Sequence, residues 1–97
     1  RYAELLSIDL NTVITQFESD LDISTKLDHA FGKSLRKRRL AKLFSQEALA
    51  LESDLSRAYI SDLEMGKKDP SLFTVFKLSR GLKIKPSAVI ADVEHLL

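Results

Sequence analysis

Apolar positions in this chain recur every three or four residues, the period of a helix, and no stretch shows the two-residue alternation of a half-buried strand. Residues 2–6 are apolar enough for one or two helical turns. Val13, Ile14, Phe17 and Leu21 then predict a helix over about residues 10–21, with Gln16, Glu18, Ser19 and Asp20 on its polar side. Asp22-Ile23-Ser24 reads as a break, and Ser24 or Thr25 can cap a second helix after it. Leu27, Phe31 and Leu35 predict that helix over about residues 25–42. Gly32 inside it costs about 1 kcal/mol relative to Ala, a cost that makes sense where another helix must come close. Ser45 is an N-cap signal ahead of Ala48, Leu49, Ala50 and Leu51, which form the apolar side of a short helix. Glu52-Ser53-Asp54 ends it, Asp54 being a residue that tolerates the left-handed backbone, and Leu55 plugs the turn. Ser56 can cap a further helix with Ile60 and Leu63 on one side and Arg57, Ala58, Ser61 and Asp62 elsewhere. Residues 66–70, Gly-Lys-Lys-Asp-Pro, are a loop by composition. Ser71 caps a helix carrying Leu72, Val75, Phe76 and Leu78, and Gly81 stands where a glycine ends such a helix. Pro86 suits the first position of the last helix, which is striped by Val89, Ile90, Val93, Leu96 and Leu97.

The pattern predicts an all-α chain, and 97 residues suit a single small domain with a modest core. The absence of cysteine removes disulfides, thiolate nucleophiles and thiolate metal sites. That fits a reducing interior, and a cytoplasmic location is expected. No apolar run is long enough to span a bilayer, and no signal-peptide pattern is present. The net charge of +1 conceals a segregation. Residues 1–28 carry two cations against six carboxylates, residues 29–85 carry thirteen against six, and residues 86–97 add Asp92 and Glu94. A basic centre between acidic flanks is the asymmetry expected of a nucleic-acid module joined to something else.

Two short helices with a small polar outward side on the second suggest an element that can enter the DNA major groove. At this point the chain resembles the helix-turn-helix of the lambda-repressor-like (Xre/Cro-type) DNA-binding domains, over about residues 31–90. The resemblance rests on Phe31-Gly32-Lys33-Ser34-Leu35-Arg36 with Arg39, Ser45-Gln46-Glu47-Ala48-Leu49-Ala50, Tyr59-Ile60-Ser61, Leu63-Glu64-Met65-Gly66-Lys67, Pro70-Ser71-Leu72 and Gly81-Leu82. Each is weak alone; in order and at family spacing they are specific. Two departures stand out: Leu43 and Asp54 occupy positions where the family favours glycine. Asp54 is easily accommodated, whereas Leu43 either takes a positive φ with strain or belongs to a turn built differently. The resemblance implies a five-helix domain over residues 25–97, preceded by an acidic helical extension over residues 1–24.

The resemblance also implies roles. Arg39 and Glu64 would form a buried structural ion pair, since an isolated buried charge is too costly to keep. Gln46 would bond a DNA phosphate at a helix N-terminus; the alternative is an ordinary solvated side chain. Arg57 is the candidate for base reading, because Arg bonds guanine O6 and N7 bidentately; the alternative is a phosphate clamp. Ala58, which can meet a thymine methyl, Ser61 and Asp62 complete the base-reading set. Asp62 would repel phosphate unless it accepts from cytosine or pairs with Arg57. Ser56, Tyr59, Lys67, Lys68 and Arg36 are the further phosphate candidates, although Tyr59 can equally be a half-buried structural side chain and Arg36 can support the Glu64 pair. Lys77, Lys83 and Lys85 read as ordinary surface. His29 and His95 are isolated, no metal-ligand spacing occurs, and the three glycines form no phosphate loop, so neither an enzyme nor a cofactor is expected.

These expectations converge on a sequence-specific, duplex-DNA-binding transcription regulator acting as a dimer, a module shared by restriction–modification controllers, phage-type repressors and antitoxins. The alternative is a protein-interaction module, or an antitoxin-type regulator whose acidic N-terminal segment binds a partner protein. Val89 and Ile90 are expected in the core, leaving Val93, Leu96 and Leu97 as a dimer seam; the helix bearing Val13, Ile14, Phe17 and Leu21 is the other candidate surface.

Overall fold

The structure is a computed structural model that describes the backbone of residues 10–97 and the side chains of residues 23–97. The turns expected at residues 2–6, and the side chains of Val13, Ile14, Phe17 and Leu21, lie outside the described residues. Among the described residues five helices follow in order: α1 (Leu10–Ala41), α2 (Gln46–Ser53), α3 (Arg57–Glu64), α4 (Leu72–Leu82) and α5 (Pro86–Leu96).

α1 is 32 residues long and runs through the break expected at residues 22–24. Asp22, Ile23 and Ser24 are only mildly unfavourable inside a helix, and neither Pro nor Gly is there to stop it. A cap signal in the middle of a continuing hydrogen-bond ladder goes unused.

The core is assembled from every helix. Phe31 and Leu35 of α1 meet Leu49 and Ala50 of α2, Ile60 and Leu63 of α3, Leu78 and Leu82 of α4, and Val89 of α5. α1 packs on α3 and α5, while α2 packs on α3 and α4. Two glycines permit these crossings. A Cβ on Gly32 would lie 2.5 Å from the Leu63 carbonyl oxygen, so α1 and α3 touch backbone to backbone there. A Cβ on Gly81 would collide with Ser53 Oγ. Gly81 is therefore a close-packing residue inside α4, not its terminator; the left-handed position falls to Lys83, with φ 58°.

Four helices end in the same way. Leu43, Asp54, Gly66 and Lys83 take positive φ after α1, α2, α3 and α4. In each case the next residue's N–H bonds a carbonyl five positions back: Phe44 to Arg39 at 3.1 Å, Leu55 to Ala50 at 2.9 Å, Lys67 to Asp62 at 2.9 Å, Ile84 to Ser79 at 2.9 Å. These are Schellman closures. After α1, α2 and α4 the residue following the left-handed one, Phe44, Leu55 or Ile84, packs against the core. Leu43 thus resolves to a positive φ of 60°, with its side chain left in solvent.

Several apolar residues expected inside lie outside. Leu51 is 83% exposed, Ile90 is half exposed, and Leu72 and Phe76 of α4 are exposed, as is their neighbour Phe73, for which no side was expected. α2, α4 and α5 are each covered along only one stripe, and these positions fall off it. Val93, expected to be free, packs in part on the core, whereas Leu96 and Leu97 are exposed.

Candidate nucleic-acid interface

α2 and α3 form the helix-turn-helix unit. Ser45 is extended at φ −73° and its Oγ accepts from the Ala48 N–H at 3.0 Å, which starts α2. Asp54, at φ 55°, turns the chain, and Ser56 Oγ accepts from the Tyr59 N–H at 3.1 Å to start α3. Each cap satisfies one of the N–H groups that a helix start leaves without an intrahelical partner; such starts attract phosphate.

α3 is held on its inner side by Ile60 and Leu63, both fully buried. Its far end is fixed by an ion pair. Arg39 donates from Nε to Glu64 Oε2 at 2.6 Å and from Nη2 to Oε1 at 3.0 Å, both side chains being at least nine-tenths covered. Arg39 Nη1 also donates to the Phe44 carbonyl at 2.8 Å. One guanidinium therefore ties the end of α1, the turn after it and the end of α3 together. The Glu64 hydrogen bonds keep Arg39 charged, raising its pKa against the opposing effect of burial.

The outward side carries the candidates for base contact. Arg57 and Ala58 are exposed, and Ser61 and Asp62 are half exposed. Asp62 does not pair with Arg57; its ion pair is with Lys68 Nζ, at 3.4 Å. Arg57 makes no ion pair among the described residues. Lys68 also sits 5.7 Å from the centroid of the Tyr59 ring, so Asp62, Lys68 and Tyr59 form one cluster. Tyr59 is half buried, and its hydroxyl shares a hydrogen bond with Thr74 Oγ1 at 3.2 Å. Lys67 is exposed beside them.

One phosphate candidate is engaged elsewhere, and one expected support of the ion pair is not made. Gln46 Nε2 donates to Glu64 Oε1 at 3.3 Å, so its amide closes over the ion pair. Arg36 is exposed and is not among the groups that bond Glu64.

The structure adds contacts that the sequence analysis missed. Lys77, read as ordinary surface, donates to the Asp54 carbonyl at 3.3 Å and lies 3.7 Å from its carboxylate, bracing the turn before α3. It also sits 4.9 Å from the centroid of the Phe73 ring. Arg38 grips Asp92 of α5 with Nε at 2.7 Å and Nη2 at 3.0 Å, and Ser34 Oγ donates to the same carboxylate at 3.0 Å. Those hydrogen bonds hold the Asp92 pKa below its ordinary value, Arg38 contributing most. No local pattern announces a contact between residues 54 positions apart.

Known proteins share this arrangement. The Helix-turn-helix family model matches residues 35–89. The control protein C.BamHI of Bacillus amyloliquefaciens is 44% identical over 61 residues, covering 62% of this chain and 75% of its own. The control protein C.MunI of Mycoplasma sp is 43% identical over 65 residues, covering 66% and 88%. Among solved structures, the restriction-modification controller protein C.AhdI from Aeromonas hydrophila superposes with a TM-score of 0.63 at 40% identity, over 64% of this chain and 94% of that one.

Proposed function

The chain belongs to the helix-turn-helix family of transcription regulators, of the lambda-repressor-like kind, and from that premise we propose that it binds duplex DNA sequence-specifically as a homodimer. One observation carries the reading. α3 is locked by Ile60, Leu63 and the Glu64–Arg39 pair on one side, yet presents Arg57 on the other with no ion-pair partner among the described residues. A rigid helix with a free guanidinium near its N-terminus suits a groove in which Arg can bond guanine bidentately. Ala58 and Ser61 extend the base-reading side. Asp62, neutralised by Lys68, is a poorer reader than its position suggests and serves to orient that lysine.

Phosphates would be held by the N-termini of α2 and α3, by Lys67 and Lys68, and by Ser56, Gln46, Tyr59 and Arg36 at the edges. Gln46 can still offer its second amide hydrogen while it bonds Glu64. A dimer would use the exposed Leu96 and Leu97 beside Val93. The acidic extension gives a second reading some support: α1 begins 25 residues before the region that matches the family, and such an arm offers a surface for a partner protein.

The test is selection of bound duplexes from a random pool, followed by titration of the winner against salt. A dimer touching about eight phosphates gives a log–log slope of about −7. Arg57→Ala costs about 1–3 kcal/mol per half-site and relaxes one base position, whereas Lys67→Ala weakens all sequences alike. A slope near zero would falsify DNA binding. Uniform loss from Arg57→Ala, with base preference unchanged, would reduce Arg57 to a phosphate clamp.

A further inference from the structure

One concave surface has no part in the proposed base or phosphate contacts. It lies between the middle of α1, the 66–70 loop and α5, and encloses about 520 Å³, within the range of about 300–1,000 Å³ usual for small-ligand sites. Phe31, Val75, Val89 and Val93 supply an apolar floor. Leu27, Ile90 and Leu97 line the sides and remain partly exposed, because α1 and α5 do not close over one another here.

The charged residues of this groove all have one sign. Asp28, Asp69 and Glu94 reach it from α1, the loop and α5, and among the described residues no Lys or Arg lines it. The Asp28 and Asp69 carboxyls both line the groove, and Asp69 acts on Asp28. Burial first, then the bond to Asp69 and its charge, push Asp28 up to about 6, with His29 opposing. Above that pH Asp28 is ionised beside an apolar floor.

We propose that this groove binds an organic cation, a protonated amine on a compact apolar or aromatic body. The ammonium sits between Asp28 and Asp69, its three donors serving both carboxylates. The body covers Phe31, Val89 and Val93. Charge selects the ligand: an anion of the same shape meets three carboxylates, and a neutral molecule leaves the acidic pair unsatisfied. Binding is linked to protonation, so affinity rises with pH through the range in which Asp28 ionises. None of the residues assigned to bases or phosphates takes part, but Val93 and Leu97 also belong to the proposed dimer surface, so the cation and a second copy of the chain compete for this groove.

The full chain is titrated at pH 7.5 with 2-phenylethylammonium, with the neutral 2-phenylethanol and with the anionic 3-phenylpropanoate, and followed by calorimetry and by amide resonances. The ammonium compound is expected to bind saturably, at least ten-fold tighter than the alcohol, and to shift the resonances of Leu27, Phe31, Val89 and Val93. Asp28→Asn and, separately, Asp69→Asn bring it to the level of the alcohol, with the fold checked by circular dichroism; so does lowering the pH to 5. Equal affinity for all three compounds overturns the proposal, as does a preference that survives both substitutions. Absence of saturable binding overturns it too, whether the groove stays empty or is covered by a second copy of the chain.

Discussion

At the residue scale, the pair Arg39–Glu64 carries the most structure per side chain. Removing Glu64 leaves a guanidinium covered by protein and bonded only to the Phe44 carbonyl. Breaking a buried pair from one side costs about 3–5 kcal/mol, a large part of a small domain's stability. Glu64→Ala is thus expected to lower the melting temperature by more than 10 °C, as read by circular dichroism; an unchanged melting curve would mean that solvent compensates Arg39. Leu43 makes an opposite prediction. It holds φ 60° with its side chain 93% exposed, a conformation costing an L residue about 1–2 kcal/mol. Glycine relieves that strain and gives back part of the gain as unfolded-state entropy. Leu43→Gly should therefore stabilise by about 0.5–1 kcal/mol in urea denaturation, and a loss would show that the Leu43 side chain has a contact to lose. The Arg39–Glu64 pair was legible because the motif places both residues. Lys77 on Asp54 was not, because its partner is the carbonyl of a turn whose position only the packed helices determine.

At the element scale, helix starts were easier to read than helix ends. Ser45, Ser56 and Ser71 each cap through their own hydroxyl, a local bond made within three residues. The ends were obscured because three of the four left-handed positions are not glycine. Their signature is instead the apolar residue just after, Phe44, Leu55 or Ile84, which packs against the core only once the core exists. Faces were misread for the same reason. Leu51, Ile90 and Phe76 fit a helical period, but which part of that period is covered depends on neighbours that periodicity cannot supply. The join between α1 and α5 depends on a contact of this non-local kind, Arg38 and Ser34 on Asp92. Asp92→Ala is expected to cost about 1 kcal/mol at pH 7, discounted because Arg38 and Asp92 are each about one-third exposed. Asp92 has a lowered folded pKa, so its contribution is present above the ordinary value of 3.8 and is lost as pH falls through the folded value. Melting curves of the wild type and the variant should therefore converge well below pH 3.8; a gap that persists in acid would assign the effect to packing, not to the ion pair.

At the scale of the whole molecule, assembly is the remaining issue. One recognition helix reads only a few base pairs, and two-fold pairing over half-sites about 34 Å apart supplies the rest. The structure sharpens where the seam can be. Val93 rests partly on the core, so charging it would damage the fold and confound a dimer measurement. Leu96 and Leu97 are 51% and 65% exposed, so Leu96→Asp with Leu97→Asp tests the α5 surface without touching the interior. α4 presents a competing surface of Leu72, Phe73 and Phe76, all exposed, and Phe73→Ser with Phe76→Ser tests it in the same way. Burial of either patch at about 25 cal/mol per Å² can drive association, although ordering and rigid-body losses take much of the gain. Sedimentation at micromolar concentration is expected to show a dimer that the α5 variant converts to monomer, with helical content unchanged. Conversion by the α4 variant alone would move the seam to α4, and retention of the dimer by both, with loss on deleting residues 1–22, would place it on the extension. If the chain stays monomeric at every concentration and binds its selected duplex as a single copy, α3 must obtain its specificity without a two-fold partner, and the half-site returned by selection would then stand alone instead of in pairs.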